Sequence, residues 1–281
     1  MTRRKGGKDL DTTPGETLMS RYLEATGLSR EPWPTTDGGR NPEFFIAAPQ
    51  AKVLVEIKDF SEDELERAVL NASSEGRLAG GPWNPVQRVI GRVDKSLEQL
   101  KMGAEKYPCV CILYESSFTP YTRELFVSSA LFGPMVITQE VGVDGALGEA
   151  TSHHKGGIDP DKAPRKSALF DRGNTKHLSA VAVLEEIDPS AAERQSYINA
   201  FLATADRQDA IKFLGAVKKA EREAKRKFGP VTLFTRLRIY YNHNADIKLE
   251  RSIFCGKYDW HCWFEKNLRQ TAGYAHLESR D

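Results

Sequence analysis

The chain has 281 residues, 40% of them hydrophobic and 28% charged, a balance that is typical of a globular protein and argues against extensive disorder. The formal charge is only +1, so any binding of nucleic acid would depend on local basic patches and not on bulk charge. The four cysteines are too few for a disulfide scaffold, and without an apolar run of the ~20 residues needed to cross a bilayer or an apolar signal segment we expect a cytoplasmic protein that does not bind membranes.

The first predicted helix begins at a capping box. Thr13 is followed by a proline at the first helical position and by Glu16 three residues after the threonine, a pattern in which the Thr and Glu side chains bond each other's backbone N–H groups. The helix is expected over residues 14–26, and Gly27 suits its end. The basic residues 1–12 before it are expected to be a disordered N-terminus.

A β-hairpin is expected next. The runs at residues 44–48 and 53–58 are mostly apolar, and the Pro-Gln pair between them favours a turn. Alternation along the second run places Glu56 and Lys58 on the same face of the strand. Two opposite charges are therefore expected side by side.

A longer helix and a buried strand follow. Apolar residues at helical spacing predict the helix over about residues 86–106, after a short acidic helix at 61–72. A polar stripe is expected on the side opposite its apolar face, made of Arg88, Arg92, Lys95 and Gln99. Residues 109–114 are apolar on both faces, which indicates a central strand of a sheet.

The second half of the chain is expected to elaborate this core. The core itself is predicted over residues 13–188, with a mobile loop at 138–176 where apolar residues are scarce. A helical insertion is predicted at 189–229, and a C-terminal strand and tail that pack on the core at 230–281.

Two details of this half bear on function. The basic run late in the insertion is interrupted in sequence by Glu221 and Glu223, which favours a solvated helix face held by opposite-charge pairs. Strands are expected at residues 177–184 and 233–241, and the tail beyond them, which contains Trp260, is expected to be rich in loops.

One constellation carries the chemistry. An acid-x-Lys triplet begins at Glu56, Glu223 and Asp246, but only the first lies at the end of an apolar strand with a second acid, Glu43, upstream at the entrance of a neighbouring strand. Carboxylates bind hard divalent cations, and a lysine beside them can assist hydrolysis of a phosphodiester. The spacing alone leaves open a second interpretation, in which Glu56 and Lys58 are only a cross-paired face of an edge strand.

A longer stretch adds a family resemblance. Over residues 13–115 the chain resembles the PD-(D/E)XK nuclease superfamily, which has the restriction-endonuclease-like fold. The resemblance is carried by Gly15-Glu16, residues 21–28, residues 41–46, residues 53–59, Glu98-Gln99-Leu100 and the strand at Cys109. Residues 130–133, 177–183 and 242–259 look like later parts of an uncharacterised branch of this superfamily.

The resemblance implies a role for each site residue. It implies Mg²⁺, with Mn²⁺ as an alternative, held by Glu43, Glu56 and the backbone carbonyl of Ile57, while Lys58 positions or activates the attacking water. Glu16 would be an auxiliary acid, although the capping box is an alternative reason for its presence. The family's usual Pro-Asp is Pro-Glu here, and the extra methylene could weaken or shift the metal.

The polar stripe of the long helix has two interpretations. Gln99 is a type of active-site helper that the resemblance implies. Alternatively, Arg88, Arg92, Lys95 and Gln99 lie against solvent or contact the nucleic-acid backbone.

The sequence thus predicts an α/β protein with a mixed central sheet flanked by helices, a restriction-endonuclease-like core and a helical insertion. The expected function is Mg²⁺-dependent hydrolysis of nucleic-acid phosphodiesters, DNA more than RNA, by an endonuclease or exonuclease. The alternative is a catalytically inactive nuclease-fold module that binds or scaffolds in a defence or repair complex. A homodimer is left open.

Overall fold

The structure is a computed structural model. It describes residues 13–34, 42–49, 51–61, 67–68, 71–72, 84–117, 120–141, 147–154, 168–205, 210–265 and 270–275. The expected N-terminal segment 1–12 lies outside these residues, as does most of the short acidic helix expected at 61–72.

The first helix, α1, spans Pro14–Thr26 and has the predicted capping box. The Glu16 N–H donates to the Thr13 hydroxyl at 3.2 Å, and the Thr13 N–H donates to Glu16 Oε2 at 3.0 Å. Gly27 ends the helix with φ +69°, in the left-handed region that glycine adopts without strain. Both ends of this helix were therefore predictable from sequence.

The described residues form a main sheet of eight strands in the order β1-β2-β3-β4-β7-β8-β9-β10. The bounds are β1 Ser29–Pro32, β2 Phe44–Ala47, β3 Lys52–Phe60, β4 Cys109–Glu115, β7 Ala180–Ile187, β8 Phe234–Tyr241, β9 Trp260–Glu265 and β10 Gln270–Ala275. β1, β2 and β3 pair antiparallel, as the predicted hairpin requires, whereas β3, β4 and β7 pair parallel. The prediction of a mixed central sheet is confirmed.

Helices cover both faces of the strands at the centre of this sheet. On one face, α1 packs through Leu18 and Met19 against Val55 and Ile57 of β3. On the other face lie α2, Pro85–Leu100, and α3, Glu124–Phe132. The α2 helix contributes the buried Val89, Val93, Leu97 and Leu100 to a cluster that includes Leu54 and Phe60 of β3.

A buried carboxylate links α1 to strand β8. Asp259, fully buried, accepts hydrogen bonds from the Tyr22 hydroxyl at 2.5 Å, the Leu237 N–H at 2.8 Å and the Gly256 N–H at 2.7 Å. Burial and the neighbouring Asp259 carboxylate raise the pKa of Tyr22. Hydrogen bonds of this kind offset the cost of burying a charge.

The chain divides into two compact units, residues 1–185 with 237–281, and residues 186–236. The second unit contains two helices, α4 Ala191–Ala203 and α5 Ala210–Phe228. Within it, the Tyr197 and Phe228 rings meet edge to face at 5.9 Å. The Arg194 guanidinium lies 5.8 Å from the centre of the Phe228 ring.

β1 and α3 were not predicted, and two further segments differ from the sequence prediction. The segment expected to be a loop at 138–176 contains most of β5 Met135–Val141, all of β6 Leu147–His154, and two short 3₁₀ turns. The tail expected to be rich in loops contains β9 and β10. Both errors have one cause: β5 pairs with β6 and β9 with β10, so backbone bonds across each pair supply what the apolar patterns do not show.

Candidate active site

Strand register brings the two predicted acids together. Phe44 at the start of β2 lies opposite Val55 of β3. Continuing this antiparallel register by one residue places Glu43 opposite Glu56, on the same face of the sheet as Leu54 and the α2 helix. Side chains opposite each other in such a pair have Cβ atoms about 5 Å apart, so the two carboxylates are neighbours.

Both carboxylates have an unsatisfied oxygen. Glu56 is only 1% exposed and Glu43 is half-buried. The Oε2 atom of each is buried and has no hydrogen-bond partner among the described residues. A buried polar atom without a partner costs free energy, so each of these oxygens is a candidate ligand for a cation.

The pKa values show how poorly this pair tolerates two negative charges. Burial, the Glu56 carboxylate and the Glu16 carboxylate raise the pKa of Glu43 to about 8, against the opposing effects of a backbone hydrogen bond from Ile57 and of Lys58. Burial also raises the pKa of Glu56, and the hydrogen bond and charge of Lys58 oppose that rise. In the absence of a cation, Glu43 therefore holds a proton at neutral pH.

Lys58 joins Glu56 to α2. Its Nζ donates to Glu56 Oε1 and, at 2.6 Å, to Gln99 Oε1. The Lys58 side chain is 17% exposed, so the ammonium is held by two acceptors and still reaches solvent. Gln99, predicted from helical spacing to lie opposite the apolar face, instead points into the site from the border of that face.

The backbone N–H and C=O groups of Ile57 point towards β2, the strand that Glu43 precedes. The Leu54 N–H donates to the Pro108 carbonyl and the Phe60 carbonyl accepts from Ser116, so the even-numbered residues of β3 direct their N–H and C=O groups towards β4. The odd-numbered residues therefore direct theirs towards β2. Register places Pro42 opposite Ile57, and a proline has no N–H with which to bond the Ile57 carbonyl.

Glu16 lies close enough to act on Glu43 electrostatically, but both of its carboxylate oxygens have partners. Oε2 accepts from the Thr13 N–H at 3.0 Å, and Oε1 accepts from Arg30 Nη2 at 3.0 Å. Capping and an ion pair thus account for Glu16 without any role in the chemistry.

The remaining residues of the predicted nucleic-acid stripe lie in different surroundings. Arg88 donates to the Ser61 carbonyl at 2.6 Å and the Tyr121 hydroxyl at 3.0 Å. Arg92 lies over the Phe60 ring, and burial and the charge of Arg88 lower the pKa of its guanidinium. Lys95 is exposed. Arg88 and Arg92 thus pack against aromatic rings of the core.

Asp59 is a residue that the motif did not single out. Its Oδ2 accepts from the Gly15 N–H at 3.4 Å, so the end of β3 is tied to the start of α1. A side chain on Gly15 would place its Cβ 2.2 Å from Asp59 Oδ1 and 3.1 Å from Ile57 Cγ2. Gly15 is required there because the helix start and the strand end come so close.

The described residues contain no group of three or more His, Cys, Asp or Glu side chains that could hold a metal ion. A metal held here would therefore rest on the two glutamates and the Ile57 carbonyl. None of the described helices is both long and apolar enough to span a membrane.

Comparison of the chain with protein-family models, curated proteins and solved structures finds no match.

Proposed function

We propose that the protein is a Mg²⁺-dependent hydrolase of nucleic-acid phosphodiester bonds, acting on DNA more than on RNA. The observation that supports this most directly is the pair of acids, Glu43 and Glu56, each with an unpartnered buried oxygen, beside a lysine held at their edge. A restriction-endonuclease-like core, which the resemblance implies, belongs to the same proposal.

The residues fit a hard divalent cation. Mg²⁺ prefers oxygen ligands and is commonly held by one or two carboxylates, with water and substrate oxygens completing its shell. Glu43, Glu56 and the Ile57 carbonyl would hold it. Bound there, the ion would polarise a phosphate oxygen and lower the pKa of a bound water.

Lys58 would bind the substrate phosphate or the attacking water. An ammonium has three donors, and Glu56 and Gln99 accept two of those of Lys58. The third can donate to a phosphate oxygen or hold the attacking water. Gln99 is then a positioning residue, since its amide oxygen fixes where the ammonium sits.

The surroundings of Glu43 suit a glutamate at this position. Its carboxylate lies near enough to Glu56 for the Glu56 charge to raise the pKa of Glu43, and it accepts a backbone hydrogen bond from Ile57. Glu43→Asp would draw the carboxylate back towards β2. We expect this variant to need more Mg²⁺ for half-maximal activity, measured by titrating the metal at fixed substrate.

The direct test is incubation of the purified 281-residue protein with plasmid, linear and single-stranded DNA, and with RNA, in Mg²⁺ or Mn²⁺. We expect cleavage that Lys58→Ala reduces by about a hundredfold or more, in line with the loss of one electrostatic group from an active site. Lys101→Ala, which removes an exposed lysine just after α2, is the matched control and should leave cleavage unchanged.

A catalytically inactive binding module is the second candidate. It is favoured by the finding that Lys58 is already engaged by Glu56 and Gln99, as in a purely structural network. Binding without cleavage in either metal would support the module and overturn the hydrolase. Cleavage that persists in Lys58→Ala would assign the activity to another site or to a contaminant.

Gln99→Ala separates a positioning role from a structural one. If Gln99 fixes the ammonium, kcat should fall about tenfold with little change in KM, because substrate binding does not depend on it. Gln99→Glu, which restores an acceptor, should recover part of the loss. Equal effects on unfolding and on kcat would instead indicate a structural residue.

A further inference from the structure

We propose that the exposed face of α5 is a nucleic-acid backbone site, separate from the Glu43–Glu56 site. This inference deepens the proposed function and rests on it only for the choice of polymer. It concerns the smaller unit, residues 186–236, taken by itself.

The α5 helix is strongly basic. Over Ala210–Phe228 the basic residues are Lys212, Lys218, Lys219, Arg222, Lys225, Arg226 and Lys227, and the acidic ones are Glu221 and Glu223. All of the basic residues are exposed. Because the whole chain carries only +1, this helix concentrates positive charge that the rest of the chain balances.

The acids lie at the borders of the basic face and do not interrupt it. At 100° per residue, Lys218, Lys219, Arg222, Lys225 and Arg226 fall in a sector about 120° wide. Glu221 lies about 40° beyond one border and Glu223 about 40° beyond the other. The buried Ala220 and Ala224 lie on the opposite side. Glu223 pairs with Arg226 at 2.9 Å, as the sequence-based interpretation of opposite-charge pairs expects. The pair lies towards one border, and Lys218, Lys219, Arg222 and Lys225 make up the rest of the face.

The dimensions suit a phosphate backbone. Residues 218 to 226 span about 12 Å along the helix axis, and phosphates recur every ~3.4 Å of axis on one strand of a duplex. Three or four phosphates can therefore face the helix at once.

The aromatic rings that contact α5 lysines lie at and beyond one border of the basic face. Lys227 lies 4.6 Å from the centre of the Tyr197 ring and Lys219 lies 5.8 Å from that of Phe201. Gly215 is the one residue besides the basic ones that shares the sector between positions 215 and 226. A face of cations without rings would contact phosphates and would not stack on bases, so binding should be independent of sequence.

An anionic membrane is a different partner for a basic helix, and the structure favours it less. A helix that binds a membrane surface needs an apolar face exposed beside its charges. The exposed apolar side chains of α5, Ile211 and Leu214, precede the basic segment 218–226 instead of running beside it, and Ala220 and Ala224 behind that segment are buried.

The test compares wild-type and variant 281-residue proteins by fluorescence anisotropy with a short labelled DNA duplex of random sequence, in EDTA so that no cleavage occurs. The variant is Lys218→Gln, Arg222→Gln and Lys225→Gln combined. Its charge-matched control is Lys101→Gln, Lys106→Gln and Lys176→Gln combined, which removes three exposed lysines of the larger unit.

The salt dependence gives the expected size. With four phosphate contacts, log Kd should change with log salt at a slope of about 3.6, and with two contacts at about 1.8. Between about 50 and 200 mM salt, the wild type should lose about 150-fold in affinity and the α5 variant about 12-fold. An unchanged slope in the α5 variant, or an equal drop in the control, would overturn the inference.

A second measurement covers the case in which the variant does not fold. Lysine-reactive labelling of the wild type, read by mass spectrometry, should show Lys218 and Lys225 protected by DNA and Lys106 unprotected. Equal protection at all three overturns the site. Binding to anionic vesicles but not to DNA also overturns it.

The two proposals fail separately. DNA binding that depends on α5, without cleavage in Mg²⁺ or Mn²⁺, supports this inference and rejects the hydrolase. Cleavage by a protein whose α5 variant keeps the wild-type salt slope supports the hydrolase and rejects this inference.

Discussion

Replacing Glu43 with glutamine should make the protein more stable at alkaline pH in the absence of metal. The Glu43 carboxyl has a pKa of about 8 in the folded protein, against an ordinary value of 4.5. A carboxyl whose pKa is raised by folding contributes stability that is fully present below pH 4.5 and is lost as the pH rises through 8. Glutamine keeps the shape and an acceptor oxygen but never acquires the charge.

The magnitude follows from that difference. At about 1.4 kcal/mol per pH unit, the interval from 4.5 to about 8 corresponds to about 5 kcal/mol. Glu43 is half-buried, so solvent screening reduces this value, and we expect about 2 to 3 kcal/mol. Near pH 4, where both side chains are neutral, the variant and the wild type should have nearly equal free energies of unfolding.

The assay is urea unfolding in EDTA at several pH values from 4 to 9. The Glu43→Gln midpoint should rise above the wild-type midpoint progressively over this range. Glu24→Gln, which removes an exposed carboxylate of α1, should follow the wild type. A Glu43→Gln curve that stays parallel to the wild type at all pH values would refute the reasoning that burial and Glu56 strain this carboxylate.

Adding Mg²⁺ extends the same experiment to the metal. A cation held by the pair stabilises the folded state by mass action, so the wild-type midpoint should rise with Mg²⁺ at pH 8, and that of Glu43→Gln should rise less. Equal shifts in both proteins would place the ion elsewhere.

Two further predictions concern the framework of the site. Gly15→Ala places a methyl group 2.2 Å from Asp59 Oδ1 and should lower the free energy of unfolding by about 1 to 2 kcal/mol, because the carboxylate must move off the helix start. The control is Gly91→Ala, whose methyl group meets nothing within 4 Å and which should stabilise the protein by up to about 1 kcal/mol. Equal effects of the two substitutions in urea unfolding would contradict this prediction. Asp259→Asn turns an amide N–H₂ towards donors that include the Tyr22 hydroxyl and should cost about 3 kcal/mol; a midpoint within error of the wild type would show that these bonds contribute little.

Local patterns in the sequence were sufficient for several elements. The capping box of α1, the glycine that ends it and the β2–β3 hairpin each depend on residues close together in the chain. The apolar runs of β4 and β7 predicted buried strands because a strand covered on both faces has no polar side. The acid-x-Lys pattern likewise placed Glu56 and Lys58 on one face, since alternation along a strand is local.

Contacts between distant segments decided the rest. Helical spacing gives the angle of Gln99 from the apolar face of α2, but only the packing of α2 on β3 shows that its amide reaches Lys58. The partners of Glu16 and Asp59 likewise come from distant segments, Arg30 for Glu16 and the start of α1 for Asp59. Strands β1, β5, β6, β9 and β10 were missed because their partners, and not their own apolar patterns, make them strands.

By itself, the sequence determined which faces are apolar, where α1 begins and ends, and that an acid and a lysine share one strand face, because these depend on neighbours within a few residues. Tertiary structure alone decided that Glu56 lies close enough to raise the pKa of Glu43 and that a glutamine from another layer holds the lysine. The physical reason is that electrostatic coupling depends on distance and burial, which spacing along a chain does not specify.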